Sequence, residues 1–278
     1  MADIRLFVCC HQPALVPKHP LLVPVQVGAA LSEEHFPGFL HDDTGDNISR
    51  RNRSYCELTA QYWAWKNIQA DYYGFFHYRR YLYPDIKAKR PYRVEQKPTR
   101  QLLDKLGYAA FADLISQYDL ILPKGEDMHI PVRKHYDAAQ FHHGKDLRMA
   151  EQLVRECHPE MGKAAEEYLS GTVCYFGNIF IMKRQIFWDY CAWLFPILEE
   201  FSCRSDTAGY SSQEQRVDGY LAERLLGIYA IHYQGLKTLE LPRVHFIGNS
   251  LERVKKKVLN FALPPGSVRR SWLKSLKG

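Results

Sequence analysis

Two adjacent arginines end one of the most apolar runs in the chain. Tyr72-Tyr73-Gly74-Phe75-Phe76 leads directly into His77-Tyr78-Arg79-Arg80. Neighbouring guanidiniums are permanently charged planar forks that match phosphate oxygens, so such a pair can bind a diphosphate and hold its charge as it leaves. A surface arginine pair making ordinary ion pairs is the alternative. A second group, Asp42-Asp43-Thr44-Gly45-Asp46-Asn47-Ile48-Ser49, sets three carboxylates around a glycine. Oxygen-rich loops of this kind hold Mg²⁺ or Ca²⁺, but the twelve-residue EF-hand spacing and its terminal Glu are absent. Turn chemistry fits the same residues, as does a polar loop gripping a ribose or a base. His129, His135, His142 and His143 form a third group, without the H-E-x-x-H spacing of a zinc site. The fourth group runs from Gln213 to Arg224. On a helix, Arg216, Gly219, Tyr220 and Glu223 share a face and present an arginine and a carboxylate together, while Asp218 lies off it. A carboxylate there can deprotonate a sugar hydroxyl, and an amphipathic helix laced with salt bridges is the competing reading.

The elements that must carry these groups follow from hydrophobic patterning. Ile4–Cys10 reads as a buried strand, Leu21–Val27 as a second, and 36–47 as a loop. Ser54 and Glu57 have capping-box spacing and open a helix to about Ile68, with Leu58, Tyr62, Trp65 and Ile68 on its core stripe. Tyr72–Tyr78 is a strand and 84–100 an irregular loop. Tyr108–Gln117 is helical and Asp119–Leu122 a strand closed by Pro123. Residues 133–170 are helices, Val173–Met182 a strand with an interior Gly-Asn, and Lys183–Cys203 a long helix containing Pro196. A helix over Gln213–Ile228 and a strand over Leu239–Phe246 complete the order. This succession predicts an α/β fold with a mixed, largely parallel sheet flanked by helices. In such sheets ligands bind beyond the carboxyl ends of strands, which singles out His11, the Asp42–Asn47 loop, His77–Arg80 and Asn178.

The chain has 278 residues, 46% hydrophobic and 24% charged. That supports one large α/β domain over 1–250. Seven cysteines without C-x-x-C spacing read as reduced thiols in a cytoplasmic protein. No run is long enough for a membrane span, and no signal peptide opens the chain. Phosphate-loop, dinucleotide-binding and hydrolase-elbow motifs are missing. The formal charge of +6 is concentrated in a basic amphipathic tail, 251–278, with eight Lys/Arg against one acid from Glu252 onward. Trp272, Leu273 and Leu276 interleave with the cations, a pattern suited to an anionic membrane surface on the inner face of the cell membrane. No nucleic-acid-binding motif or basic stripe accompanies it.

Several runs together resemble a known family. They are Asp43-Thr44-Gly45-Asp46-Asn47-Ile48-Ser49 with Asn52, Tyr55-Cys56-Glu57-Leu58-Thr59, Tyr62-Trp63, Trp65-Lys66-Asn67, and Tyr73-Gly74-Phe75-Phe76-His77-Tyr78-Arg79-Arg80-Tyr81. Phe176 to Lys183 and Arg216 to Leu226 add to them. The resemblance, from about Ile4 to Tyr229, is to the bacterial capsular and exopolysaccharide glycosyltransferases catalogued as domain of unknown function 4422. Cys10-His11-Gln12-Pro13 stands where that family tends to have a His-Lys pair, so the lysine has no counterpart here. The resemblance implies a GT-A-like fold, a UDP-sugar donor with galactofuranose as the leading sugar, and a glycan or lipid-linked glycan acceptor in a capsule, exopolysaccharide or O-antigen. It places His11, Asp43, Asp46, Asn47, Asn52, Glu57, Lys66, His77 and Tyr78 at the donor and Asn178, Arg216 and Tyr220 at the acceptor. GT-A enzymes often carry Asp-x-Asp and a divalent metal where this chain has His77–Arg80. The expectation is therefore metal-independent, inverting transfer, with Arg79 and Arg80 stabilising the leaving group and Glu223, then Asp218, as base. The Asp42–Asp46 loop is the place where Mn²⁺ or Mg²⁺ could still bind. A non-catalytic glycan-binding protein of the same fold and a histidine-metal hydrolase are the rival readings.

Overall fold

The computed structural model describes residues 2–248, so the basic segment 251–278 lies outside the described residues. The strands are β1 (Ile4–Cys10), β2 (Leu22–Gln26), β3 (Leu40–His41), β4 (Tyr72–His77), β5 (Arg80–Leu82), β6 (Tyr92–Glu95), β7 (Leu120–Pro123), β8 (Glu126–Asp127), β9 (Val173–Cys174), β10 (Phe180–Lys183), β11 (Thr238–Leu241) and β12 (Arg243–Phe246). The helices are α1 (Asn52–Tyr55), α2 (Leu58–Asn67), α3 (Arg100–Lys105), α4 (Phe111–Ile115), α5 (Val132–Asp137), α6 (Gly144–Cys157), α7 (Gly162–Ser170), α8 (Arg184–Arg204) and α9 (Val217–His232).

The main sheet runs β11-β7-β10-β4-β1-β2-β3. Pairing of β1 with β2 and β4, of β2 with β3, and of β7 with β11 is parallel, while β10 is antiparallel to both its neighbours. The mixed, largely parallel sheet expected from the sequence is thus present. Alternation along β1 explains the layering. Phe7 and Cys9 pack under α2, α8 and α9, whereas Leu6, Val8 and Cys10 pack against α3, α4 and the β5 strand. Both faces are covered, which is why β1 and β4 read as continuous apolar runs.

Four boundaries differ from the sequence reading, each for a local reason. The helix expected from Ser54 is broken at Cys56, whose φ of 52° stops α1 before α2 begins. Ser54 therefore caps nothing, and its hydroxyl donates to Asp218 of α9 instead. The strand expected over Val173–Met182 is interrupted by Gly177 and Asn178, both at positive φ, into β9 and β10. Pro242 divides the last strand into β11 and β12, since proline cannot donate to a ladder. Within the loop expected at 84–100, β6 pairs with β12.

Candidate active site

The parallel strands β1, β2 and β4 point their carboxyl ends the same way, and antiparallel β10 brings its amino end, with Asn178, to the same edge. There a cleft of about 400 Å³ opens, lined by Cys9 at the end of β1 and His11 just after it, Val27 after β2, His77 at the end of β4, Asn52, Arg53, Cys56 and Glu57 around the α1–α2 break, and Ser212, Gln215 and Arg216 before α9. The break at Cys56 is what turns Glu57 into the cleft, where a continuous helix would have carried it past. Gly219 lets α9 approach that break closely: a Cβ there would stand 3.1 Å from the Cys56 sulfur.

Two carboxylates stand beside the cleft. Asn178 ties the first, Glu57, to α9, its Nδ2 donating to Glu57 Oε1 at 3.1 Å and to the Gly219 carbonyl at 2.9 Å. Burial raises the Glu57 carboxyl above its ordinary value, and the negative charge of Glu223 adds to the rise. Glu223 is more fully engaged. Its Oε1 accepts the Gly177 N–H at 2.8 Å and its Oε2 accepts from Arg224 at 3.3 Å. Arg224 is itself buried, with its guanidinium against the Tyr136 and Phe176 rings. Arg243 donates to the Phe176 carbonyl and pairs with Glu126, fixing the same loop from the other side.

Opposite charges gather on the same rim. Arg79 is exposed and lies over the Tyr78 ring, and Arg80 is half-buried. A Cβ on Gly177 would lie 3.6 Å from the Arg80 guanidinium, so the arginine reaches the loop that Glu223 holds. Arg216 donates its Nε to the Cys56 sulfur at 3.3 Å. Burial, reinforced by these cations, disfavours the charged form of their histidine neighbours. Burial lowers His77 to about 2, reinforced by Arg80 and Arg79, and burial with Arg79 and Arg216 lowers His11. The Arg79 N–H donates to His77 Nδ1, which leaves the proton of the neutral ring on Nε2.

The structure thus brings together His11, Asn52, Glu57, His77, Tyr78, Arg79, Arg80, Asn178, Arg216 and Glu223. Tyr220 flanks them under the Arg216 guanidinium, its hydroxyl spent on the Gln213 carbonyl. Other expected residues stand elsewhere. Asp218 is 2% exposed and hydrogen-bonded to Ser54, so no acceptor can reach it. Lys66 is exposed, 3.5 Å from the centre of the Trp65 ring, which stacks on Phe195 of α8 away from the cleft. The three carboxylates of the Asp42–Asp46 loop do not converge. Asp42 is fully buried and accepts from the N–H groups of Gly28 and Ala29 and from Ser49. Asp43 faces His35, and Asp46 accepts from the Tyr62 hydroxyl. Asn47 closes its own turn on the Asp43 and Gly45 carbonyls. The four histidines from His129 to His143 do not form a joint metal group among the described residues. His129 pairs with Asp127 and His143 with Glu214, and His142 lies between the Tyr136 and Tyr220 rings. Cys56, Gly177 and Arg224 stand in runs that the sequence singled out, but the sequence reading gave none of them a role in the site. The interior Gly-Asn of Val173–Met182 and the Glu223-Arg224 pair amid the apolar residues of α9 were the available signals.

A family model described as Domain of unknown function (DUF4422) matches residues 5–234. The chain belongs to the DUF4422 family. The match takes in every residue of the cleft. Among solved structures, an apo structure of the bifunctional glycosyltransferase WbbM is similar, with a TM-score of 0.83 and 32% identity over 88% of this chain and 45% of that one. This DUF4422 chain therefore spans less than half of that protein's length, and its fold is GT-A-like. A search of curated proteins finds no match.

Proposed function

We propose that the protein is a glycosyltransferase that moves a sugar, galactofuranose in the leading case, from a UDP-linked donor to a growing surface polysaccharide. One observation carries the reading: a cleft at the carboxyl ends of β1 and β4 is lined by Glu57, Arg216 and two histidines whose protonation is disfavoured, His11 and His77, with Arg79, Arg80 and the Glu223 carboxylate close beside it. Family membership and the similarity to WbbM support a glycosyltransferase; the UDP-galactofuranose donor is what the family resemblance implies, and the mechanism rests on the residues.

In this mechanism the diphosphate lies along the arginine rim. Arg79 and Arg80, at the turn after β4, meet the charge that develops as the bond from the anomeric carbon to the UDP oxygen breaks. Two guanidiniums at that position neutralise the diphosphate directly, with no divalent ion needed on it. His77, kept neutral, can donate from Nε2 without adding a competing charge. On the acceptor side, a carboxylate takes the proton of the attacking hydroxyl while its oxygen bonds to the anomeric carbon from the opposite face, giving inversion. Glu57 suits this step better than Glu223. One of its oxygens is held by Asn178 and its raised pKa brings it nearer neutrality, whereas both Glu223 oxygens are occupied. Glu223 then holds the Gly177–Asn178 loop in position.

A panel of UDP-sugars, UDP-galactofuranose included, tests the reading through donor binding and slow donor hydrolysis in EDTA and in Mn²⁺. The expected result is one donor bound or turned over in EDTA, weakened by Arg79→Ala and by Arg80→Ala. Activity confined to Mn²⁺ would overturn the role given to the arginines. Binding of glycan without binding of any donor would support a non-catalytic glycan-binding protein instead.

A further inference from the structure

We propose that His35, His41 and Asp43 form a zinc site that ties together the loop after β2, the strand β3 and the start of the acidic loop. Each of the three offers one ligand atom, and these atoms lie within 4.8 Å of one another. The imidazole rings of His35 and His41 are 4.0 Å apart, and His35 Nε2 stands 3.1 Å from Asp43 Oδ2. Two further atoms of the group, His41 Nε2 and Asp43 Oδ1, are buried without a hydrogen-bond partner. A buried imidazole nitrogen and a buried carboxylate oxygen without partners are costly unless something satisfies them, and a cation bound by this group would do so. It is the one such three-residue group among the described residues.

The backbone holds the three ligands ready. Gln26 is buried, accepts the Phe36 N–H at 2.7 Å and donates to the Glu34 carbonyl at 3.0 Å, so it grips the chain on both sides of His35. His41 is fixed by the pairing of β3 with β2, where it lies opposite Gln26. Asn47 holds the Asp43 carbonyl at 3.1 Å. Three preorganised ligands reduce the ordering that binding would otherwise require. Two imidazoles and one carboxylate suit a borderline ion such as Zn²⁺ and not Mg²⁺ or Ca²⁺, which take oxygen ligands. His35 and Asp43 also line a cleft of about 700 Å³, which leaves room for water or another ligand in a fourth position.

The site is separate from the catalytic cleft but mechanically close to it. Asp42, between two of the ligands, accepts from the Gly28 N–H at 2.8 Å. A Cβ on Gly28 would come within 2.7 Å of Asn52, which lines the catalytic cleft. Zinc would therefore brace the β2–β3 edge beneath the donor side, without touching the reacting atoms.

Titration of the untagged full chain with Co²⁺ and Zn²⁺ tests this independently of any transferase activity. The expected result is one equivalent of Co²⁺ with visible d–d absorption, displaced by one equivalent of Zn²⁺. His35→Ala, whose side chain is half exposed and so leaves the fold intact, should weaken binding by about tenfold or more, and Asp43→Asn likewise. His129→Ala should bind as the parent does. Absence of stoichiometric binding, or binding unchanged in both His35→Ala and Asp43→Asn, overturns the proposal. EDTA-resistant transfer leaves it standing, because the zinc is assigned no catalytic step.

Discussion

Two carboxylates so close together cannot share one role, and their surroundings divide the work. Burial and the charge of Glu223 raise the Glu57 carboxyl, so as the proposed base it should set the acidic limb of the rate profile. Glu57→Gln should lower kcat by about 10²–10⁴ and erase that limb. Glu223→Gln should keep the limb but move it to lower pH, because it removes a neighbouring negative charge that helped hold the Glu57 proton. The kcat profiles of both variants decide the matter. If the limb survives in Glu57→Gln and disappears in Glu223→Gln, the roles are exchanged. At this scale the sequence disclosed residue types more readily than their assignments. His77, Arg79 and Arg80 were legible because they follow an unmistakable strand. Glu57 stood in a recognisable motif, but the Cys56 φ that swings it into the cleft leaves no trace in residue type, since cysteine seldom adopts it. Asp218 had the right chemistry and the wrong exposure. Nothing in a helical repeat tells which polar residue of an almost wholly buried helix faces inward.

Packing of elements accounts for that burial and for a second pH effect. Helix α1 crosses the start of α9, Ser54 hydrogen-bonds Asp218, and burial pushes the Asp218 carboxyl up to about 6. A carboxyl whose folded pKa stands above its unfolded one takes up a proton on folding. Its contribution to stability is therefore greatest below pH ~4 and declines as pH rises through 6. The loss at neutral pH is on the order of 2–3 kcal/mol, from a rise of about two pKa units. Asp218→Asn keeps an acceptor for Ser54 and removes the buried charge. Thermal unfolding should show the variant more stable than the parent at pH 7–8, with the difference closing towards pH 4. A variant that is less stable across the whole range would contradict this placement of Asp218. Boundaries were the least legible feature of the elements, because apolar runs continue through the breaks. Val173–Met182 is hydrophobic on both sides of Gly177-Asn178, and Leu239–Phe246 on both sides of Pro242. In the first case the break serves the site, through Gly177 and Asn178; in the second it follows from proline's missing N–H.

For the molecule as a whole, the mixed, largely parallel sheet followed from the alternation of strands and helices, but its strand order and the antiparallel β10 at its centre did not. That one reversed strand delivers Asn178 to the edge where β1 and β4 end, and so completes the cleft. How such a site would meet a lipid-linked glycan is a question of location. No helix among the described residues is long and apolar enough to cross a membrane. The basic segment 251–278 remains the candidate for holding the protein near the proposed acceptor, since its sequence has eight Lys/Arg together with Trp272, Leu273 and Leu276. Each cation near an anionic surface contributes about 1 kcal/mol, so even partial engagement yields a measurable affinity that salt should weaken. Co-sedimentation with vesicles containing phosphatidylserine should recover the full chain, while neutral phosphatidylcholine vesicles should leave it in the supernatant. Deletion of residues 252–278 should abolish recovery without altering donor binding, because every residue of the cleft precedes the deleted segment. Equal recovery with and without the segment, or none of the full chain, would remove the membrane from the proposal and leave the cleft to find its acceptor in solution.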